Sequence, residues 1–206
     1  MEPDKKKSLH RLRATMLATI VVVFAVSVLS VLLLRDKLLG ASLVRARDVQ
    51  PHHALQVTST SFSAGSTIPI QYTCNGASTS PNIAWSGAPF GTRSYVVLMH
   101  DPDASIDFTQ WLVYNIPSDV HELAAGAAAG AMPRGSLQGM NSYQRVGYGP
   151  PCPPPGKLHH YITLVYALDT TLALPAGATR AQVEIAMRRH ILAQGRLVGL
   201  FQHGDQ

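Results

Sequence analysis

The sequence predicts a mainly β domain with one C-terminal helix, carried behind a single N-terminal transmembrane helix. Three observations carry this. Short apolar runs recur between Gly, Pro and Asn turn signals, the pattern of strands. A capping signature followed by an apolar stripe at i, i+4, i+8 occurs near the C-terminus. The stretch Ala14–Leu34 contains no charged residue.

Composition narrows the class. With 206 residues, 14% charged and 46% hydrophobic, the chain is too apolar for wholesale disorder and long enough for one domain plus appendages. Two cysteines, Cys74 and Cys152, are too few for a disulfide scaffold or a Cys-rich metal module. The net charge of +5 lies entirely before Val49, where nine Lys/Arg face four acids. The remainder is neutral and offers no basic face, which excludes a nucleic-acid partner.

At 1.5 Å per residue, Ala14–Leu34 spans about 30 Å, the thickness of a bilayer core. A buried helix rarely stays apolar on every face for so long. The run exceeds a secretory h-region, and Arg35, Asp36 and Lys37 follow where a cleavage site favours small neutral residues. Gly40 and Ser42 leave room for a cut. Five basic residues precede the run and two follow closely, so the N-terminus stays cytoplasmic and the rest is exported. The expected organisation is a basic cytoplasmic tail (1–13), a signal anchor in the inner membrane (14–34), a tether (35–54) and a periplasmic domain (55–206). The His52–His53 pair on the tether reads as solvated rather than metal-binding.

Within the domain, Thr67–Thr73 alternates Ile68, Ile70 and Tyr72 with polar partners, which predicts a half-buried strand. Ser94–His100 is continuously apolar, as a strand buried on both faces would be. Gln110–Ile116 and His160–Leu168 read the same way. Asn75–Gly76, Pro89–Gly91 and Gly147–Gly156 supply the turns, and Ala124–Ala131 reads as a loop. Thr179 with Gln182 forms a capping box, Val183, Met187 and Ile191 form the helix stripe, and Gly195 is its expected stop. Leu197–Phe201 is expected to return as a strand.

Chemistry concentrates in three places. Asp101-Pro102-Asp103-Ala104 sets carboxylates at the mouth of the buried strand, although on these residues alone a plain Asx-Pro turn is the favoured reading. Pro150–Gly156 holds five prolines, stiff enough for a pocket rim or a plain connector. In Leu158-His159-His160-Tyr161, strand alternation puts His159 and Tyr161 on one face and His160 on the other. The familiar nucleophile-elbow, phosphate-loop and zinc patterns are absent, and no cofactor is expected.

Together, QYTCNGASTSPNIAW (Gln71–Trp85), DPDA (Asp101–Ala104), WLVYNIP (Trp111–Pro117), GPPCPPPG and LHHY resemble the phosphatidylethanolamine-binding protein (PEBP) family, in its bacterial Raf-kinase-inhibitor-like branch. The resemblance runs from about Leu55 to Phe201, with the motifs in the family's order. It implies a β-sandwich with a small anion pocket for phosphate or a phosphorylated head group. Carried over, the pocket comprises Asp101, His159 and Tyr161, position 110, and a rim including Gly149, Pro151 and Pro153. Two departures stand out: Gln110 replaces a histidine usual in the family, and Ser105 replaces a proline.

Export favours a Cys74–Cys152 disulfide, the alternative being two free thiols packed as small apolar groups. Three functions are weighed. The first is a membrane-tethered module binding a phosphorylated small molecule, lipid head group or peptide. The second is an inhibitor or scaffold docking on a protease or other envelope protein, export speaking against a kinase. The third, last in order for want of a nucleophile, is a hydrolase using Asp101 and His159 as an acid–base pair.

Overall fold

A computed structural model describes residues 53–204 together with Ser30, which is helical. The tail, the rest of the span at 14–34 and the tether up to residue 52 lie outside the described residues. Among the described residues, no helix is long and apolar enough to cross a membrane. His52–Gln206 forms a compact unit of its own.

Among the described residues, nine strands follow in chain order: β1 His53–Ala54, β2 Gln56–Thr58, β3 Ile83–Ser86, β4 Ser94–Asp101, β5 Phe108–Pro117, β6 Glu122–Leu123, β7 Leu137–Gln138, β8 Leu158–Leu168 and β9 Ile191–Gln202. A helix, α1, spans Arg180–Met187. The strands make a six-stranded sheet in the order β1-β9-β8-β4-β5-β7 and a three-stranded sheet in the order β2-β3-β6. The large sheet is antiparallel except at β1, which runs parallel to β9 through His53↔Ala193.

The centre of the large sheet is covered on both faces. On one face Tyr95, Val97, Met99, Trp111 and Val165 join Val57, Ile83 and Trp85 of the small sheet in a single core. On the other, Val96, Leu98, Leu112 and Tyr114 pack against Val183 and Met187 of α1. This is why β4 reads as an unbroken apolar run: every one of its residues is buried, and alternation carries no polar side to reveal. The one-sided strand β2 instead alternates exposed and buried.

The helix starts where the capping box places it. Thr179 accepts from the Gln182 amide, and the Gln182 side chain accepts from the Thr179 amide at 2.9 Å. It stops before Ile191, which opens β9. The stop is tertiary: His190 Nδ1 meets Asp169 at 2.7 Å, and the Asp169 amide donates to the His190 carbonyl at 3.0 Å. Those two contacts draw the chain back onto the end of β8.

Three expectations are therefore corrected. Ile191 does not belong to the helix stripe, because the helix ends at Met187 and Ile191 opens β9. Gly195 is not a helix stop; it lies inside β9 opposite Val165. A Cβ there would stand 2.2 Å from the Leu55 carbonyl oxygen, so the crossing backbone requires glycine. Thr67–Thr73 is not a strand either. Thr67 makes one isolated bridge to Leu200, and Ile70–Tyr72 form a 3-10 turn that leaves Ile70 exposed. Pro69 lacks the amide that a ladder needs at that point, so the alternating pattern arises from Ile68 and Tyr72 entering the core separately. The other predicted strands are observed, with β5 and β8 each starting two residues earlier than predicted, at Phe108 and Leu158.

Candidate functional site

Three adjacent strand ends of the large sheet converge on one cavity. Antiparallel pairing of β4 with β8 runs to His100↔Ile162, so Asp101, the last residue of β4, arrives beside the start of β8. There His159 and Tyr161 are buried while Leu158 and His160 are exposed, as alternation demands. The Asp101 carboxylate, itself buried, accepts from three donors. Oδ2 meets His159 Nδ1 at 2.7 Å, and Oδ1 accepts from the amides of Asp103 at 2.9 Å and Ala104 at 3.2 Å. The turn thus holds the carboxylate, and the carboxylate holds the imidazole. With Nδ1 engaged, Nε2 is the nitrogen left to address a ligand.

Gln110 reaches the same cavity through a bulge. Met99 pairs with Trp111 but His100 pairs with Thr109, so Gln110 is an extra residue between successive pairs. Bulges re-aim side chains in this way. Trp111 belongs to the core between the sheets, and its neighbour Gln110 lines the cavity. Gln110 is buried, and its Oε1 has no hydrogen-bond partner among the described residues. Its carbonyl accepts from the Gly149 amide at 2.8 Å, which fastens the Pro-rich loop to β5.

The cavity encloses about 420 Å³. Asp101, Gln110, Pro153, His159 and Tyr161 of the expected set line it. Gly149 and Pro151 are not among the lining residues and act from behind. A Cβ on Gly149 would lie 2.3 Å from the Tyr143 ring, and the Pro151 carbonyl accepts from the Cys74 amide at 3.1 Å. Phe108, Tyr143 and Lys157 also line the cavity; the sequence reading missed them. Tyr143 owes its place to Asn141, whose buried side chain accepts from the amides of Tyr143 and Arg145 and donates to the Gly147 carbonyl. The cluster Asn141-Ser142-Tyr143 ahead of Gly147 is a turn signal that could have pointed there.

The electrostatics are mixed. Burial, then the nearby Asp101 carboxylate, pushes the Tyr161 phenol well above its usual range. It therefore remains protonated, and its buried hydroxyl, although beside the Asp101 carboxylate, meets no partner at hydrogen-bond geometry among the described residues. Asp103 is held below the usual carboxylate range, chiefly by the His160 backbone amide and then by the His160 ring; both lie 2.7 Å from its Oδ2. That pair ties the DPDA turn to the outer face of β8. The exposed Lys157 supplies a cation at the rim.

Cys74 and Cys152 are joined, with Cα atoms 5.4 Å apart. The bridge connects the loop after the 3-10 turn to the Pro-rich rim, and Cys152 itself lines the cavity.

Comparison with known proteins follows the same boundaries. Residues 58–202 match the family model described as phosphatidylethanolamine-binding protein. The UPF0098 protein of Aquifex aeolicus is 46% identical over 151 residues, covering 72% of this chain and 88% of that protein. LppC of Mycobacterium tuberculosis, whose name places it among candidate lipoproteins, is 37% identical over 150 residues, covering 72% of each. Among solved structures, the PEBP homologue CT736 of Chlamydia trachomatis aligns with a TM-score of 0.67 and 36% identity, over 74% of this chain and 99% of that one. E. coli YbcL, described as a member of the mammalian PEBP family, aligns with a TM-score of 0.69 and 33% identity, over 73% and 99%. By the family model, by sequence relatives and by fold, the chain belongs to the phosphatidylethanolamine-binding protein family, in its bacterial YbcL-type branch.

Proposed function

We propose that this protein is a membrane-tethered binding module whose cavity captures a phosphate or phosphorylated head group on the periplasmic side of the inner membrane. The observation that carries this reading is a pair of buried side-chain atoms without a hydrogen-bond partner among the described residues, Tyr161 Oη and Gln110 Oε1, on residues that line one cavity. Buried polar atoms without partners cost about 1–3 kcal/mol each, a cost that a polar ligand removes on binding. Tyr161 Oη donates, His159 Nε2 donates when the ring is protonated, and a half-turn of the Gln110 amide presents Nε2 as a further donor. Lys157 adds charge at the mouth.

Binding is favoured over hydrolysis by the state of His159. Its one side-chain partner among the described residues is Asp101, and no serine or tyrosine hydroxyl is paired to it as an activated nucleophile requires. The tether rests on the uncharged span at 14–34, and the lipoprotein name of the mycobacterial relative is consistent with an envelope location.

Ligand binding to the native state raises the melting temperature in proportion to RT ln(1 + [L]/Kd). Phosphate and phosphoethanolamine should each raise the melting temperature of the wild-type protein. Tyr161→Phe should keep the unliganded stability within about 0.5 kcal/mol, because the hydroxyl lies beside the Asp101 carboxylate without hydrogen-bond geometry to it, yet weaken phosphate binding about tenfold. Equal shifts in both proteins would exclude Tyr161 from the ligand site, and no shift in either would overturn the binding reading.

A further inference from the structure

A second site lies at the disulfide. His203, carried one residue beyond β9, is held by the bridge Pro155↔His203, and its Nδ1 lies 4.0 Å from Cys152 Sγ. The ligating atoms of Cys74, Cys152 and His203 all fall within 4.8 Å of one another. Cys152 is exposed, and Cys74 and His203 are half-buried, so both a reductant and an ion can reach them.

We propose that reduction of the Cys74–Cys152 bridge converts this corner into a Cys₂His site for a thiophilic divalent ion such as Zn²⁺. The proposal does not rest on the anion-binding reading, although Cys152 also lines that cavity. The reductant is a dithiol: it gives two electrons and two protons, the bridge becomes two thiols, and the reductant leaves as its own disulfide. Metal binding then displaces both thiol protons, since thiolates are the ligands.

The geometry suits such an ion. Thiolates bound tetrahedrally at about 2.3 Å stand about 3.8 Å apart. With Cα atoms 5.4 Å apart, rotation of the two cysteine side chains reaches that spacing without moving the backbone. His203 supplies the third ligand. A fourth position stays open, as in zinc sites with three protein ligands. The residues stand far apart in sequence, at 74, 152 and 203, so no ligand-spacing motif announces them. The fold assembles them because the Cys74 amide is bonded to Pro151 and the Gly156 amide to the His203 carbonyl.

The test uses the full chain in mild detergent, reduced with a dithiol that is then removed without oxygen, and Co²⁺ as the spectroscopic probe. The reduced protein should bind one Co²⁺ with thiolate-to-cobalt charge-transfer absorption, displaced by Zn²⁺. The oxidised protein should show none. His203→Ala leaves both thiols in place and should weaken Zn²⁺ competition at least tenfold while keeping the far-ultraviolet dichroism of the wild type. A reduced protein without the thiolate band would overturn the site. So would a band whose Zn²⁺ displacement is unchanged by His203→Ala, because two thiolates alone would then account for it.

Discussion

Gln110 is one of two cavity-lining residues, with Ser105, at which the sequence departs from the family resemblance. An amide donates or accepts but never becomes a cation. A histidine placed there gains charge as pH falls through about 6.5, and would face an anion from the same buried position. Gln110→His should therefore strengthen phosphate binding near pH 5.5 by a charge-assisted hydrogen bond, roughly 1.5–3 kcal/mol, and change little near pH 8. Calorimetric titration of phosphate into both proteins at the two pH values measures this. Equal affinities at the acid pH would remove position 110 from the ligand's surroundings. Gly149 acts on the same cavity indirectly. An added methyl at position 149 collides with the Tyr143 ring, which is itself fixed by a 2.9 Å hydrogen bond to the Pro150 carbonyl and by edge contact with Phe108. Overpacking of this kind costs about 1–3 kcal/mol.

At the level of elements, the turn between β4 and β5 is fastened by two carboxylates on opposite sides. Asp103 is tied to β8 through His160. Asp107 meets His100 Nδ1 at 2.5 Å and Arg180, the first residue of α1, at 2.9 Å. Burial tends to raise the Asp107 carboxyl, but the Arg180 and His100 contacts outweigh it and leave it below the usual 3.8. Asp103 also lies below 3.8. A carboxyl depressed in the folded state stabilises fully above its unfolded value, and that contribution disappears as pH falls through the folded value. Both groups are more than one-third exposed, so each contribution is screened to under about 1 kcal/mol. Urea midpoints should fall as pH drops below about 4, and Asp107→Asn should show a smaller fall than the wild type. Identical acid slopes in the two proteins would mean that the Asp107 contacts carry no stability.

For the whole molecule, the disulfide closes a separation of 78 residues. In the loop-closure model that restraint on the unfolded chain is worth about 4 kcal/mol, and it ties the loop before β3 to the rim after β7. The double change Cys74→Ser with Cys152→Ser should lower the unfolding free energy by about 2–4 kcal/mol, measured by urea titration without reductant. An unchanged midpoint would assign the bridge no role in stability. The proposed anchor is tested on the same scale. The uncharged span at 14–34 should keep the protein in the membrane fraction through high-salt and alkaline washing, and a soluble species beginning near Ala41 or Leu43 would mean a cleaved signal instead.

Much of the architecture was determined locally, and there the sequence by itself was enough. A capping box works through contacts three residues apart, so Thr179 and Gln182 announce the helix start without help from the fold. Strand alternation is a property of the backbone, so the shared face of His159 and Tyr161 follows from their spacing, and the continuous burial of β4 follows from its unbroken apolar run. The motif string likewise carried the family. What the tertiary structure decided rests on contacts between distant segments. The helix ends at Met187 because Asp169 holds His190, and Gly195 is glycine because the Leu55 backbone crosses it. Gln110 reaches the cavity from a strand whose strict alternation would set it on the face opposite Trp111, and only the slipped pairing of β5 with β4 removes that conflict. Tyr143 enters through a loop shaped by the buried Asn141, and Cys74, Cys152 and His203 meet only when three separate segments have folded. Such placements depend on register and chain crossing, which no window of neighbouring residues encodes.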